Sequence, residues 1–414
     1  MKIVLANYRY YQSGGPETYL FNIAELLEQA GHTVIPYSVR SSHNERTPYE
    51  GYFPHGKSEA GDANFDSVKK SPRNIALLVS CAFYNREAYR NLRRLIRDER
   101  PDVIYVLQQV NALSPSIFEA AHDEGVRVVH RLSDFNLMCP RFDFLKNGEV
   151  CTSCIKGDFT EACTNRCFHS SFVATEIRVA SMKYCRKRGL LGYVDAFVCP
   201  SAFTASLLGR SGVSSDRIHV VPTFVPPAPP LGEETTDAGS YVLYLGRISP
   251  EKGIDQLISA MFFSSNVHLK VAGSLNSEYA QNIVKKAEAA KNIEFLGVVR
   301  GEKKQRLIEG AACLVCPSIW YENLPNTVLE AYAYGKPVVV FDIGCMPEIV
   351  EDGVTGTVVP FGDVVALGDA LKRYASDLNY TRCIGENCRR VAGERYSAEA
   401  HLSKLLDILS PSRS

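Results

Sequence analysis

The 414-residue chain carries no excess charge of either sign, because 46 lysine and arginine residues balance 46 aspartate and glutamate residues. Without net positive charge there is no general electrostatic attraction to nucleic acid. No apolar run approaches the roughly 20 residues of a membrane-spanning helix, and the amino-terminal sequence MKIVLANYRYY is too short and polar for a signal peptide. We therefore expect a cytoplasmic protein that binds no nucleic acid.

A repeat of solenoid length is also missing. The length instead predicts two domains, each able to bury its own core. Strand and helix patterns alternate along both halves of the chain, so the predicted fold class is α/β with two doubly wound, Rossmann-like domains. The predicted segments are an amino-terminal domain over 1–222, a proline-rich linker over 223–240, a carboxy-terminal domain over 241–395 and a terminal helix over 396–414.

The apolar periodicity predicts individual helices. They span 18–30, 84–99, 115–124, 172–188, 253–263, 277–290, 302–310, 326–334 and 364–375, before a terminal helix with Ser397 as its N-cap. Residues 40–72 are polar and without periodicity, which predicts an irregular excursion.

Thirteen cysteines in a reducing compartment argue for thiols or metal ligands rather than disulfides. Four of them form two close pairs in one polar loop, Cys151 with Cys154 and Cys163 with Cys167. Four thiolates at this spacing suit a structural zinc ion in tetrahedral coordination, and Cys139 is a fifth candidate. The alternatives are reduced thiols, a redox-labile pair, or a loop that senses redox state or metal.

Two carboxylates follow a buried strand that ends near residue 315. Pro325 prevents a helix from running through Glu322, so a loop leads to a helix that starts near Asn326. Glu322 then lies just before a helix amino terminus, whose bare amides attract an anion. Glu330 lies about one turn inside the helix, where it is placed to meet ribose hydroxyls or another neutral polar part of a ligand. Two carboxylates at this spacing alone are more often a solvated surface pair.

The loop GRISPEKG at 246–253 follows the first predicted strand of the second domain. Its Arg247 and Lys252 lie between a strand end and a helix start, where two cations can hold a diphosphate and stabilise the charge that develops as it leaves. Gly273 ends the next strand and is expected to approach a nucleotide. A basic loop alone is usually solvated, but its place at the carboxyl end of a strand favours a functional reading.

The frame PSIWYENLPNTVLEAYAYGKPVV resembles the E-x7-E motif of retaining glycosyltransferases of the GT-B fold, in the large family four. The resemblance implies two Rossmann-like domains that face each other across a cleft. It also implies that Glu322 contacts the donor sugar together with the amides of Asn323 and Leu324, and that Glu330 holds the nucleotide ribose.

Other loops resemble the same family. Its G-R-x-x-x-x-K-G motif matches from Gly246 to Gly253, which implies that Arg247 and Lys252 neutralise the leaving diphosphate and that no catalytic metal is needed. The loop with Gly14 and Gly15 is similar to a GGxE-like loop at the family's cleft, although a GG pair is more often just a turn. Val299 lies in a loop that resembles the family's base-contact loop.

The cysteine-rich segment resembles a branch of this family with an HD-F/Y-x-x-x-CP signature. Alignment on Asp134 and Cys139 places Ser133 where the branch has histidine, and His130 lies three residues earlier. The resemblance makes Asp134 the first candidate for handling the proton and His130 the second. A lone histidine in such a place is otherwise more often structural.

The resemblance implies a retaining glycosyltransferase that uses a nucleotide diphosphate sugar, with a UDP-sugar expected ahead of a GDP-sugar. The resemblance implies a glycan or lipid-linked acceptor and a role in cell-surface polysaccharide synthesis. The alternative is a non-catalytic nucleotide-sugar-binding subunit of a polysaccharide assembly complex. Peripheral contact with the inner face of a membrane would use the arginine-rich helix and a later basic cluster, Lys183, Arg186, Lys187 and Arg188.

Overall fold

The computed structural model describes residues 1–55, 81–110, 113–226 and 241–410, with the single positions 79, 228 and 239. These residues form two compact units. The first comprises Met1–Phe144, Thr152–Val221 and 402–410, and the second comprises Leu145–Cys151 and Pro222–His401. Residues 56–72 of the expected polar excursion and most of the expected linker lie outside the described residues.

Each unit is built around a parallel sheet. The strands in chain order are β1 (Lys2–Asn7), β2 (Thr33–Tyr37), β3 (Val103–Gln108), β4 (Arg127–Arg131), β5 (Leu145–Lys146), β6 (Glu149–Val150), β7 (Ala196–Cys199), β8 (Ile218–Val220), β9 (Tyr241–Leu245), β10 (Leu269–Ala272), β11 (Ile293–Gly297), β12 (Ala311–Cys316), β13 (Val338–Phe341) and β14 (Gly356–Val359). The short strands β5 and β6 pair only with each other, as an antiparallel hairpin.

Helices alternate with these strands. Their bounds are Gly15–Gln29, Arg86–Glu99, Ser116–Asp123, Thr160–Thr164, Phe172–Lys187, Ala202–Arg210, Ile254–Phe262, Glu278–Ala287, Gly301–Gly310, Asn326–Ala333, Met346–Ile349, Val364–Ser376, Leu378–Arg395 and Ala398–Leu409. In the part of the chain that the structure describes, no helix is long and apolar enough to cross a membrane.

The sheet of the first unit has the order β2-β1-β3-β4-β7-β8. Strand β1 is buried from its second residue onward and pairs in parallel with both β2 and β3. The chain therefore moves to opposite sides of β1 on its way to β2 and β3. Such a switch point opens a crevice at the carboxyl ends of the strands, which is where doubly wound sheets bind ligands.

The sheet of the second unit has the order β11-β10-β9-β12-β13-β14. Here β9 is the switch strand, since it pairs in parallel with β10 on one side and β12 on the other. The loops that leave the carboxyl ends of β9 and β12 therefore start side by side. These are the two loops that carry the predicted cations and the predicted carboxylate Glu322.

The α/β prediction is confirmed, and the predicted helices are present with shifts of a few residues at their ends. The first begins at Gly15 rather than at residue 18, because Pro16 occupies its first turn. The N-cap prediction is also confirmed, since the Ser397 hydroxyl accepts a hydrogen bond from the amide of Ala400 at 3.2 Å.

The helix Leu378–Arg395 was not predicted. Its glycines and polar residues suggest a loop, but Ile384, Cys388 and Val391 recur at helical spacing and are buried. Gly385 is required by packing, because a Cβ there would lie 2.3 Å from the carbonyl oxygen of Gly335. Gly385 weakens the helix locally, but it allows the helix backbone to approach the backbone at Gly335.

Candidate active site

The loops that follow β9 and β12 are bound to each other. The amide of Ile319 donates to the carbonyl of Glu251 at 3.0 Å. Gly253 has φ +68°, and a Cβ at this position would lie 1.7 Å from the carbonyl oxygen of Pro317. Only glycine fits both this backbone conformation and this close approach. The hydrogen bond and the glycine together hold the two loops against each other at the switch point.

Glu322 is 6% exposed at the centre of this structure. Its Oε1 accepts three hydrogen bonds, from Lys252 Nζ at 2.6 Å, Ser318 Oγ at 2.7 Å and Trp320 Nε1 at 2.8 Å. The ammonium of Lys252 also lies 5.2 Å from the centre of the Trp320 ring. The backbone carbonyl of Glu322 accepts a hydrogen bond from the thiol of Cys345 at 3.2 Å. Glu322 is therefore held at both ends in one orientation.

The pair of Lys252 and Glu322 stays charged although it is largely buried. Burial opposes ionisation of Glu322, but the charge of Lys252 and the hydrogen bonds outweigh it, so the pKa of Glu322 is lowered. Burial likewise disfavours the ammonium of Lys252, and the carboxylate of Glu322 outweighs that effect and raises the pKa of Lys252. Burial, followed by repulsion from Glu322, raises the pKa of the neighbouring Cys316 to about 11.

Arg247 lies at the open side of the same loop. Its guanidinium forms an ion pair with Glu251 at 3.0 Å, and two thirds of the side chain (67%) is exposed. The hydroxyl of Tyr244 donates to the carbonyl of Arg247 at 2.6 Å, which holds the backbone at this point. Ser249 donates to Glu251 at 2.7 Å. The loop thus carries one buried cation and one exposed cation.

Two further predicted glycines lie at this edge of the sheet. A Cβ at Gly273 would lie 2.2 Å from the carbonyl oxygen of Gly246 and 3.0 Å from Ile248 Cγ1. The amide of Gly246 donates to the carbonyl of Ala272 at 3.1 Å. The ends of β9 and β10 can approach this closely only because position 273 has no side chain.

Glu330 lies in the helix Asn326–Ala333, as the sequence predicts. Both of its carboxylate oxygens lie 2.7 Å from the ammonium of Lys304, which comes from the helix Gly301–Gly310. Lys304 was not predicted, because nothing in the sequence links these two helices. Three further predicted residues are half-buried. Asn323 and Leu324 lie between Glu322 and the helix, and Val299 lies just after β11.

In the first unit, Gly14 is extended and caps the helix Gly15–Gln29. A Cβ at Gly14 would make only ordinary contact, 3.6 Å from Glu17 Oε2. Glu17 itself is 2% exposed and accepts a hydrogen bond from the hydroxyl of Ser13 at 3.0 Å. The glycine pair therefore starts a helix beside a buried carboxylate, without a steric requirement for glycine at position 14.

The two proton-handling candidates differ in environment. His130 is 1% exposed, its Nε2 lies 2.7 Å from Gln109 Oε1, and burial lowers its pKa to about 3. Phe118 and Phe197 flank its ring. Asp134 is only partly buried, and burial raises its pKa despite hydrogen bonds from Asn136. These environments favour Asp134, because His130 stays neutral inside the sheet.

Ser133, which stands where the resembled branch has histidine, anchors the backbone. Its hydroxyl donates to the carbonyl of Leu107 at 3.0 Å and accepts a bond from Arg131 Nη1 at 3.2 Å. The small side chain therefore ties the loop after β4 to the adjacent strand β3.

The structure does not bring the four cysteines predicted as zinc ligands into a metal site. Among the described residues, no three His, Cys, Asp or Glu side chains are grouped so that they could hold a metal ion. Cys154 instead packs in a small apolar core, and Cys163 and Cys167 pack against it. Burial, followed by Glu176, raises the pKa of Cys163 to about 11. The segment contains enough apolar residues to fold around its thiols, and the remaining core members are Phe159, Ala162, Val179 and Met182.

Several cationic side chains of the predicted membrane-contact surface contact other residues of the first unit. Arg97 binds Glu124 at 2.8 Å, and Arg188 binds Glu119 at 2.9 Å. Arg186 lies half-buried with its guanidinium 5.3 Å from the centre of the Phe159 ring. Acidic neighbours therefore neutralise part of the positive charge on this surface.

Two protein-family models match the chain. Glycosyl transferase 4-like domain covers residues 14–223, and Glycosyl transferases group 1 covers residues 233–391. A similar protein is an uncharacterized 42.6 kDa protein in the cps region of Klebsiella pneumoniae, 25% identical over 84% of this chain and 87% of that protein. The phosphatidyl-myo-inositol mannosyltransferase of Mycobacterium leprae is 33% identical, over 32% of this chain and 36% of its own length.

Solved structures resemble the whole chain in fold. A glycosyltransferase from Rickettsia africae matches with a TM-score of 0.69 and 18% identity, over 99% of this chain and 97% of the other. The Anabaena protein HepE, in complex with UDP and glucose, matches with a TM-score of 0.63 and 17% identity, over 99% of both chains. Both sheets of the present chain therefore correspond to a known fold of two Rossmann-like domains.

Proposed function

The chain belongs to the glycosyl transferase 4-like family, and from that premise we propose that it is a retaining enzyme that moves a sugar from a nucleoside diphosphate sugar to an acceptor hydroxyl. The observation that carries this proposal is the charged pair of Lys252 and Glu322, 2.6 Å apart at the switch point of the second sheet. Doubly wound sheets bind nucleotides at this place. The second unit is thus assigned to the donor and the first to the acceptor.

The two cations of the loop after β9 suit a diphosphate. Glu322 accepts one N–H of Lys252, which fixes the ammonium in place while two of its three donors remain for phosphate oxygens. Arg247 presents a largely exposed, planar guanidinium that can bind two phosphate oxygens at once. In this role the two side chains stabilise the charge of the departing diphosphate without a metal ion.

Glu322 is arranged to bind the transferred sugar. The three hydrogen bonds that hold it all end on Oε1, so within the described residues Oε2 is the oxygen left for a sugar hydroxyl. The amides of Asn323 and Leu324 follow directly before the helix that begins at Asn326, where the helix dipole favours a partial negative charge. We assign these groups to orienting the sugar.

Glu330 is assigned to the ribose hydroxyls, with Lys304 holding its carboxylate in position. Gly246, Gly273 and Val299 are assigned to the nucleotide, because they lie at the ends of the strands around the same switch point. In the first unit, Gly14 and Gly15 are assigned to binding the nucleotide sugar, and Asp134 is placed ahead of His130 for handling the proton.

A UDP-sugar is the first donor to test, because the solved relative HepE binds UDP and glucose. A glycan or lipid-linked acceptor in surface polysaccharide synthesis is supported by the cps-region relative and by the phosphatidyl-myo-inositol mannosyltransferase. Retention of anomeric configuration rests on the E-x7-E resemblance.

The experiment measures nucleoside diphosphate release from UDP-, GDP- and ADP-sugars by the wild type and by Glu322→Gln. We expect slow hydrolysis of one donor by the wild type and a loss of at least about tenfold in the variant. Equal rates in both proteins would remove Glu322 from the mechanism. Nucleotide binding without turnover, even after a glycan acceptor extract is added, would favour the non-catalytic subunit.

A further inference from the structure

The switch point of the first sheet carries two side-chain amides that the mechanism above does not use. Asn7 ends β1 and Gln108 ends β3, and the two residues are direct partners in the parallel register. Asn7 is 1% exposed and Gln108 is 7% exposed. Both side chains therefore lie buried, side by side, at the edge where a doubly wound sheet binds its ligand.

The orientation of each amide is fixed by the bond that its nitrogen makes. Asn7 Nδ2 donates to the carbonyl of Arg9 at 2.8 Å. The NH2 group of Gln108 faces the carboxylate of Asp134, and it acts against the burial that raises the pKa of that carboxyl. The amide oxygens therefore point away from these partners. Within the described residues, neither Asn7 Oδ1 nor Gln108 Oε1 has a hydrogen-bond partner.

The adjacent residue Gln109, by contrast, has both ends of its side-chain amide paired, although Ser38 Oγ and His130 Nδ1 in the same unit are also buried without a partner among the described residues. Gln109 is 3% exposed, its Nε2 donates to Asn136 Oδ1 at 3.0 Å, and its Oε1 lies 2.7 Å from His130 Nε2. Buried polar groups are almost always paired, because an unpaired one costs free energy on folding. Two adjacent unpaired oxygens at a switch point thus indicate a ligand that supplies donors.

We propose that Asn7 Oδ1 and Gln108 Oε1 form a paired site for two hydrogen-bond donors on one sugar ring, and that they select the acceptor substrate. The inference rests on the proposed function, which it deepens. The carboxylate of Asp134 lies beside the pair, so the site favours hydroxyl or ammonium hydrogens over phosphate or carboxylate oxygens. The bound part of the acceptor is accordingly a neutral sugar or an amino sugar.

The test uses methyl glycosides of glucose, galactose and mannose as probes, together with their singly deoxygenated and 2-amino forms. Dissociation constants are measured by ligand-detected NMR for the wild type and for Gln108→Met, which has nearly the same shape but no amide oxygen. We expect one hexoside to bind the wild type and to bind the variant at least about tenfold more weakly. A 2-amino form that binds more tightly than its parent would identify an amino sugar as the ligand.

The deoxy probes separate recognition from structural damage. Removing the contacted hydroxyl should weaken binding to the wild type, and should cause no further loss in Gln108→Met. Ser264→Ala is the matched control, since Ser264 Oγ is also a buried oxygen without a partner but lies in the second unit. It should leave hexoside binding unchanged. Asn7→Leu is the second variant, for the case that Gln108→Met does not fold.

The outcomes separate this inference from the proposed function. Absence of hexoside binding by the wild type, or equal binding by Gln108→Met and Asn7→Leu, would overturn the paired site. UDP affinity is measured on the same samples and should be equal in all of them. Hexoside binding through the pair, combined with no nucleotide binding by any sample, would count against the proposed function alone.

Discussion

Lys252 and Glu322 lie 70 positions apart in the sequence, and their side chains meet at 2.6 Å. The contact forms because β9 and β12 are neighbours at the switch point, so the loops that leave them are also neighbours. Gly253 brings the loop backbones together, and Ser318 and Trp320 complete the bonds to the carboxylate. The stability and the proposed chemistry of the second unit both depend on this pair.

Replacing Lys252 with methionine leaves the buried carboxylate of Glu322 without its countercharge. Because the two side chains are only 20% and 8% exposed, we expect a loss of about 2–3 kcal/mol in the free energy of unfolding. The double variant Lys252→Met/Glu322→Gln should recover part of that loss, since it removes the unpaired charge as well. Urea unfolding of the four proteins measures the coupling, and additive effects of the two changes would contradict a direct pair.

Gly253→Ala tests whether the loops are held by close packing. The substitution combines an unfavourable positive φ with a Cβ 1.7 Å from the carbonyl oxygen of Pro317. Gly353→Ala is the matched control, because its φ of +71° is similar and nothing lies within 4 Å of its Cβ. We expect the control to lose about 1 kcal/mol and Gly253→Ala to lose at least about 1–3 kcal/mol more.

Equal melting temperatures for these two variants would show that the contact between the two loops is not tight. A shifted backbone in Gly253→Ala should also weaken nucleotide binding, whereas Gly353→Ala should bind nucleotide like the wild type.

Because His130 is buried and neutral, the free energy of unfolding should decrease as the pH falls below 6.5. The pKa of His130 is about 3 in the folded chain against an ordinary 6.5, so the unfolded chain takes up the proton first as the pH falls. Stability from this group is fully present above pH 6.5 and is lost between pH 6.5 and 3, at up to about 1.4 kcal/mol per pH unit. His130→Gln keeps a donor toward Gln109 and should make this decrease smaller in unfolding measurements from pH 7 to 5. An unchanged slope would mean that His130 is not buried and neutral.

Glu322 and Glu330 should differ in their kinetic effects. In the proposed function Glu330 binds ribose equally in the ground state and the transition state, so Glu330→Gln should raise KM about tenfold with little change in kcat. Glu322→Gln should lower kcat instead, because it acts on the sugar that reacts. Steady-state nucleotide release at varied donor concentration measures both constants. The same pattern in both variants would contradict the separate roles.

The fold was predictable because the signal is local. Buried strands such as β1 and amphipathic helices such as Arg86–Glu99 each carry their pattern within a few residues. The helix Leu378–Arg395 escaped prediction because its Gly385 serves a contact with Gly335, 50 positions away. The sequence does not show this contact, so the glycine reads as a loop signal although apolar residues recur at helical spacing around it.

The positions of the candidate site residues in the fold were predictable from the sequence, but the bonds between them were not. The sequence places Arg247, Lys252, Glu322 and Glu330 at strand and helix ends, where a ligand would bind. It does not show that Lys252 bonds Glu322 directly, or that Lys304 holds Glu330, because each partner lies on a different element. The spacing of the cysteine pairs suits zinc, whereas the tertiary structure places Cys154 in a small apolar core with Cys163 and Cys167 packed against it, and the sequence alone does not show this packing.

The most direct test of the central claim is the affinity of the protein for UDP, measured by calorimetry on the wild type, Lys252→Met and the control Lys372→Met. Lys372 forms an ion pair with Asp369 on a helix surface, so the control removes the same charge away from the site. We expect Lys372→Met to bind UDP like the wild type and Lys252→Met to bind at least about tenfold more weakly, as for the loss of a charged hydrogen bond. Equal affinities in all three proteins would contradict a nucleotide site at the switch point of the second sheet.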